Sequence, residues 1–242
     1  MTGSDGQPLP AMLPGGGIAL IVGAGGGIGS ALVRAARASG RFAEVLALSR
    51  RSDPPLDLED EASIRAAAIH ASSLGNIRLC VVATGLLHAD GMLPEKALRD
   101  IDPASLARSF AVNATGPALV MKHVLPRLPR QGRSVFAVLS AKVGSIGDNR
   151  MGGWYAYRAS KAALNQFVHT ASIELARLRP EALCVALHPG TVDTGLSAPF
   201  AKSGLDVAGA DTAAASILAC LDGLSVGDSG GFFDRTGGRL PW

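Results

Sequence analysis

At 242 residues, with 48% hydrophobic and 18% charged side chains, the chain can bury a core without disulfides or metals and is too apolar to be disordered. A net charge of +3, only 5% aromatic residues and no long run of like charges argue against a nucleic-acid-binding protein. Three cysteines, Cys80, Cys184 and Cys220, lie far apart in apolar runs, which excludes a disulfide framework or a C-x-x-C zinc site and predicts a reduced, cytoplasmic setting.

Residues 1–16 are rich in Gly and Pro and read as a flexible tail, without the basic region or apolar core of a signal peptide. From residue 17 to 242 the pattern is one domain, with no apolar run of membrane-spanning length. Ile18–Val22 is a buried-strand candidate, followed by a helix over Ser30–Ser39. Strand Glu44–Leu48, helix Ala62–Ser73 and strand Ile77–Val82 come next. Pro103–Leu128 reads as one long helix, then strand Ser134–Leu139, long helix Tyr155–Leu178, strand Leu183–Leu187, helix Asp211–Leu221 and a short strand Gly231–Phe233. Continuous apolar strands alternating with helices predict an α/β fold: a doubly wound parallel sheet covered on both faces. The stretch Ser49–Asp60, with Pro54-Pro55, leaves no room for a further helix and strand, so one crossover is trimmed there. The basic cluster Lys122, Arg127, Arg130 and Arg133 reads as a solvated helix end and loop.

After the first strand comes Gly23-Ala-Gly25-Gly26-Gly27-Ile28-Gly29, opening into a helix. The frame is G-x-x-x-G-x-G at Gly23, Gly27 and Gly29, not G-x-G-x-x-G. Such a turn lets backbone approach a pyrophosphate, and the helix N-terminus presents free N–H groups and a positive dipole end to it. The second strand runs into Ser49-Arg50-Arg51. An acidic residue there would bond ribose hydroxyls; a hydroxyl and guanidiniums suit a 2′-phosphate, which favours NADP(H) over NAD(H). Asp53 remains a second group able to turn toward the ribose.

Tyr157-Arg-Ala-Ser-Lys161 begins a long helix, and the two residues share one face, a turn apart. A phenol near pKa 10 is a sluggish acid, and a nearby ammonium stabilises its phenolate. A Tyr so tuned can protonate a carbonyl oxygen or take the proton back from an alcohol.

With that pair the chain resembles the short-chain dehydrogenase/reductase family over about Gly17 to Trp242. Gly23–Gly29 resembles the family's glycine motif, Asp57-Leu58 its adenine-contacting pair, and Ala83-Thr84-Gly85 stands where the family often has Asn-Ala-Gly. Asn113 resembles the asparagine of the catalytic tetrad, and Pro189-Gly190-Thr191-Val192-Asp193-Thr194 the segment that closes on nicotinamide and pyrophosphate. The resemblance implies Tyr157 as acid/base, Lys161 tuning it and holding the nicotinamide ribose, Asn113 supporting a water relay to Lys161, and Val192 and Thr194 orienting carboxamide and phosphate. It implies a small carbonyl or alcohol substrate, action on CH–OH/C=O groups, and a homodimer or homotetramer through the two long helices. The segment Gly147–Trp154, the trimmed Ser49–Asp60 and the C-terminal Leu-Pro-Trp resemble its C-factor/sniffer-like branch of carbonyl reductases and signalling-linked oxidoreductases.

Two positions depart from the family. Ala83 replaces the usual Asn, and Ala141 stands where the family has a serine beside the tyrosine. Ser140, just before it, is the favoured substitute hydroxyl, with Ser145 or none as alternatives. If none serves, the chain reads instead as a catalytically weak NADP(H)-binding sensor or signalling protein on the same fold. His88, Trp154 and Tyr155 are candidate substrate-site lining, and Thr194–Ala210 a candidate lid. The five histidines show no metal-ligand spacing, and no G-x-S-x-G elbow is present.

Overall fold

The computed structural model describes residues 15–89, 91–196 and 207–242. The predicted tail up to residue 14 and the central part of the predicted lid, 197–206, lie outside the described residues.

Among the described residues, six parallel strands form the main sheet: β1 (Ile18–Val22), β2 (Glu44–Leu48), β3 (Ile77–Val82), β4 (Ser134–Leu139), β5 (Ala182–His188) and β8 (Phe232–Asp234), in the order β2-β1-β3-β4-β5-β8. Two short strands, β6 (Thr191–Val192) and β7 (Val207–Ala208), pair separately and escaped the sequence reading. Helix α1 (Gly27–Ala38) returns the chain from β1 to β2, and α2 (Glu61–Leu74) from β2 to β3. Ser49–Asp60 carries neither helix nor strand, so β2 is an edge strand, as the short connection requires.

The strands are apolar at successive positions because both faces are covered. One face packs Phe136, Val138 and Cys80 against Ile64 of α2, Val120 of α4 (Gly116–Val124), and Leu164 and Val168 of α5 (Tyr155–Leu178). The other packs Ile21, Val135 and Val185 against Leu32 of α1 and Ile217 and Leu221 of α6 (Ala210–Gly223). All three cysteines are buried and free. No helix of the described residues is long and apolar enough to cross a membrane.

Two expectations need correction. Pro103–Leu128 is helical as one run but not regular: α3 (Pro103–Phe110) passes through a π-turn at Ala111–Thr115 into α4, and the run tightens to a 3-10 turn at Leu125–Arg127. The cause is Gly116-Pro117. Pro117 has no N–H to give the carbonyl of Asn113 four residues back, and a side chain on Gly116 would lie 2.6 Å from Leu58 Cβ. Arg133, assigned to a solvated basic cluster, is 8% exposed and donates to the carbonyls of Leu221 and Leu224 at 2.6 and 2.7 Å. It closes the C-terminal end of α6, where free carbonyls and the dipole favour a cation.

Candidate active site

The strands' carboxyl ends carry the candidate residues. Gly23 follows β1 at φ +87, a left-handed conformation that favours glycine, and its N–H and that of Ala24 donate to Leu48 O at 2.9 and 3.0 Å. A side chain on Gly29 would meet Gly23 O at 2.1 Å, so only glycine lets α1 start this close to the turn. Gly25 and Gly26 open outward, Ile28 packs partly buried behind them, and the N-terminus of α1 has no side-chain cap. Thr84 Oγ1, above β3 beside Gly23, is buried without a hydrogen-bond partner. An uncapped helix N-terminus, an open glycine turn and an orphaned hydroxyl together fit a dinucleotide phosphate.

Beyond β2, Ser49 Oγ accepts from Arg51 N–H at 3.1 Å and the guanidiniums of Arg50 and Arg51 are exposed, with no ion pair among the described residues. The half-buried Asp57 accepts from Glu59 N–H at 3.1 Å in a local turn, and Leu58 is buried against Gly116. From β5, Pro189 O accepts from Arg235 at 3.2 Å and Gly190 takes φ +80. Val192 is buried and Thr194 returns to the glycine turn, its methyl 2.7 Å from where a Gly27 side chain would begin.

The centre is built on α5. Tyr157 and Lys161 face inward, 8% and 2% exposed, with the Lys161 nitrogen 5.9 Å from the Tyr157 ring centroid. Lys161 Nζ donates to Leu139 O at the end of β4, at 2.8 Å. A Cβ on Gly85 would lie 3.8 Å from Lys161 Nζ and 3.9 Å from Asn113 Oδ1, so Gly85, Asn113 and Lys161 meet at one point. Asn113 is wholly buried in the π-turn, a bulge that recurs at functional sites. Its side chain exchanges bonds with the Leu86 backbone at 2.7 and 2.8 Å and donates to Ser160 Oγ at 3.1 Å; Ser160 in turn donates to Tyr157 O at 2.9 Å. The Asn113 amide is thus bonded away from Lys161. Ser160 was missed by sequence reasoning; its position inside Tyr157-x-x-Ser-Lys, on the inward face, was the available signal.

Burial governs the titration of the pair. It pushes the Tyr157 phenol up to about 12 and the Lys161 ammonium down to about 7. Burial is the cause of both shifts, and it keeps the Tyr157 phenol protonated at neutral pH.

The neighbouring wall is apolar. Ala141 and Leu87 pack against Tyr157, with Val143, Trp154 and Leu196 around them. The Trp154 ring meets Tyr157 edge-on at 6.2 Å. Ser140 does not join them: its hydroxyl donates into the core to Asn165 Oδ1 at 2.6 Å. Ser145 is buried and its hydroxyl accepts from Asp148 N–H at 3.1 Å. His88 contacts Gly195 O at 3.1 Å, bridging the loop after β3 to the segment after β6, and Tyr155 opens α5. Among the described residues no cluster of His, Cys, Asp and Glu could hold a metal ion.

The sequence profile of the short chain dehydrogenase family matches residues 17–203. The chain is 41% identical to C-signal of Myxococcus xanthus over 147 residues, 60% of this chain and 84% of that one. It is 30% identical over 200 residues to 1-hydroxy-2-glutathionyl-2-methyl-3-butene dehydrogenase of a Rhodococcus species, covering 83% and 84% of the two chains. The fold superposes on NADPH-bound carbonyl reductase from chicken fatty liver with a TM-score of 0.83 at 23% identity, covering 96% of each chain.

Proposed function

The chain belongs to the short-chain dehydrogenase family of oxidoreductases, and from that premise we propose that it reduces small, uncharged carbonyl compounds with NADPH, Tyr157 supplying the proton. The observation that carries the proposal is the burial of Tyr157 and Lys161 on one face of α5, beside Gly85 and Asn113. The wall of Leu87, Ala141, Val143, Trp154 and Leu196 supports an apolar substrate. Preference for NADP(H) over NAD(H) is supported by Arg50 and Arg51, exposed and without ion pairs among the described residues, and by the NADPH of the chicken enzyme.

When bound, a reduced nicotinamide supplies the hydride. Gly25, Gly26 and the uncapped start of α1 would hold the phosphates, with Thr84 and Thr194 as further donors. Arg50 and Ser49 would take the 2′-phosphate, Asp57 and Leu58 would hold the adenine, and Val192 the carboxamide. Lys161 keeps one hydrogen on Leu139 O and turns the others toward ribose hydroxyls and Tyr157. Tyr157 donates its proton to the carbonyl oxygen, and the adjacent ammonium offsets the phenolate charge left behind. Asn113 and Ser160 hold the backbone of the π-turn and of Tyr157 in place.

Tyr157→Phe is expected to lose turnover by roughly a hundredfold or more while binding NADPH within about twofold of the wild type. NADPH oxidation with a panel of ketones and aldehydes, together with a fluorescence titration of NADPH, measures both. Unchanged turnover in this variant would sink the proposal.

The second reading, a catalytically weak NADP(H)-binding sensor, is favoured by one observation: Ala141 packs on Tyr157 where a hydroxyl would assist, and Ser140 is bonded elsewhere. Tight NADPH binding without turnover across the panel selects it. Under either reading the chain works in the cytoplasm as a homodimer or homotetramer paired through α4 and α5.

A further inference from the structure

Helix α5 begins on a residue poorly suited to begin a helix. Its N-cap is Trp154, which has no side-chain bond to the helix and stands at φ 53, the one non-glycine residue with positive φ among those described. That conformation is strained for a bulky side chain and persists only where its surroundings impose it. The first N–H groups of a helix need acceptors, and a Trp side chain offers none.

The acceptors come from sixty-one positions earlier in the chain. Glu95, in the loop between β3 and α3, is 5% exposed, and its two carboxyl oxygens lie 3.3 and 3.2 Å from Ala156 N–H. Its own carbonyl accepts from Trp154 N–H at 2.6 Å. One residue therefore holds both the left-handed N-cap and the second residue of the helix. Its loop is itself tied down, since Asp100 accepts from the N–H groups of Lys96 and Ala97 at 3.3 and 3.0 Å. On the opposite side Arg158 donates to Gly152, Gly153 and Val143 carbonyls and fixes the segment leading into Trp154.

We propose that Glu95 is a positioning residue for Tyr157, acting through the first turn of α5 and the Trp154 ring; this rests on the reductase reading above. Tyr157 follows Ala156 directly and meets the Trp154 ring edge-on. Lys161 lies one turn further on, with its own anchor at Leu139 O. Release of Glu95 loosens the turn that bears the phenol and leaves the glycine turn and Lys161 in place. A displaced acid lowers the rate of proton transfer without weakening cofactor binding.

Two near-isosteric variants separate reach from charge. Glu95→Gln keeps the length and one acceptor oxygen but loses the charge; Glu95→Asp keeps the charge but falls a methylene short. Each is made in a Trp242→Phe background, so that Trp154 is the only tryptophan and reports on the N-cap. Expected for Glu95→Asp are a fall in kcat of about tenfold, NADPH affinity within about twofold, and a red-shifted Trp154 emission. Glu95→Gln is expected to stay within about threefold in kcat with unchanged emission. The proposal is overturned if Glu95→Asp matches the parent in kcat and emission, if Glu95→Gln is as impaired as Glu95→Asp, or if kcat and NADPH affinity fall together. Should the parent reduce no carbonyl, the reductase reading fails by itself. Emission then decides the cap, and an unshifted Glu95→Asp spectrum overturns it.

Discussion

Lys161 is placed at a cost to the fold. A side chain that is 2% exposed and holds its ammonium near pKa 7 is charged against its surroundings at every pH below that value. Between about 7 and the ordinary 10.5 the unfolded chain binds more protons than the folded one, so stability rises with pH across that window. Lys161→Met removes the penalty and leaves only Leu139 O without its donor. The variant is expected to melt higher by about 3–8 °C near pH 6, the gain fading by about pH 10, in scanning calorimetry across pH. Tyr157 acts in the opposite sense: held near 12, it adds stability that is lost as pH rises from its ordinary 10 through 12. Ala141 sets the second expectation at this scale. A hydroxyl on that Cβ would lie against Tyr157, and one oxyanion donor is worth roughly 2.7–4 kcal/mol when ideally placed. Ala141→Ser is expected to raise kcat by about tenfold, a part of that range. Steady-state kinetics on the same carbonyl panel checks it, and an unchanged kcat would mean the hydroxyl does not reach the reacting oxygen.

Among the elements, the strands were the most legible in the sequence. Ile18–Val22, Glu44–Leu48, Ile77–Val82 and Ser134–Leu139 match their predicted bounds, because short, largely apolar runs rich in Val, Ile and Leu have few other uses in a chain of this length. The helix over 103–128 was read as regular because Gly116-Pro117 sits inside an otherwise regular apolar period. The pattern of side chains does not record which backbone carbonyl has lost its donor. Here the carbonyl is that of Asn113, whose donor four residues on is replaced by Pro117, and the π-turn that results also carries the site residue Asn113. The start of α5 was legible in position but not in cause. Its cap, Glu95, lies sixty-one residues away, and no local capping pattern points to it.

For the whole molecule, α4 and α5 present a groove to solvent lined by Met121, Leu125, Ala171 and Leu178, with Phe167 at its edge. Phe167 and Leu178 are 44% and 53% exposed, large values for apolar side chains, and fit a second copy of the chain packed on this face. Light scattering after size exclusion is expected to give a dimer or tetramer, and Phe167→Glu with Leu178→Glu a monomer of unchanged fold; a monomeric parent would refute the pairing. The amino-acid sequence by itself determined the parallel α/β architecture, the glycine turn and the Tyr157–Lys161 pair. Each is encoded within a few neighbouring residues, by periodicity, backbone freedom or a one-turn spacing. Only the tertiary structure decided which hydroxyls face Tyr157, where Arg133 points and what caps α5. Those depend on contacts between segments far apart in the chain. Ser140 and Ala141 are adjacent in sequence, yet alternation at the end of β4 turns one hydroxyl into the core toward Asn165 and sets a bare methyl against the tyrosine.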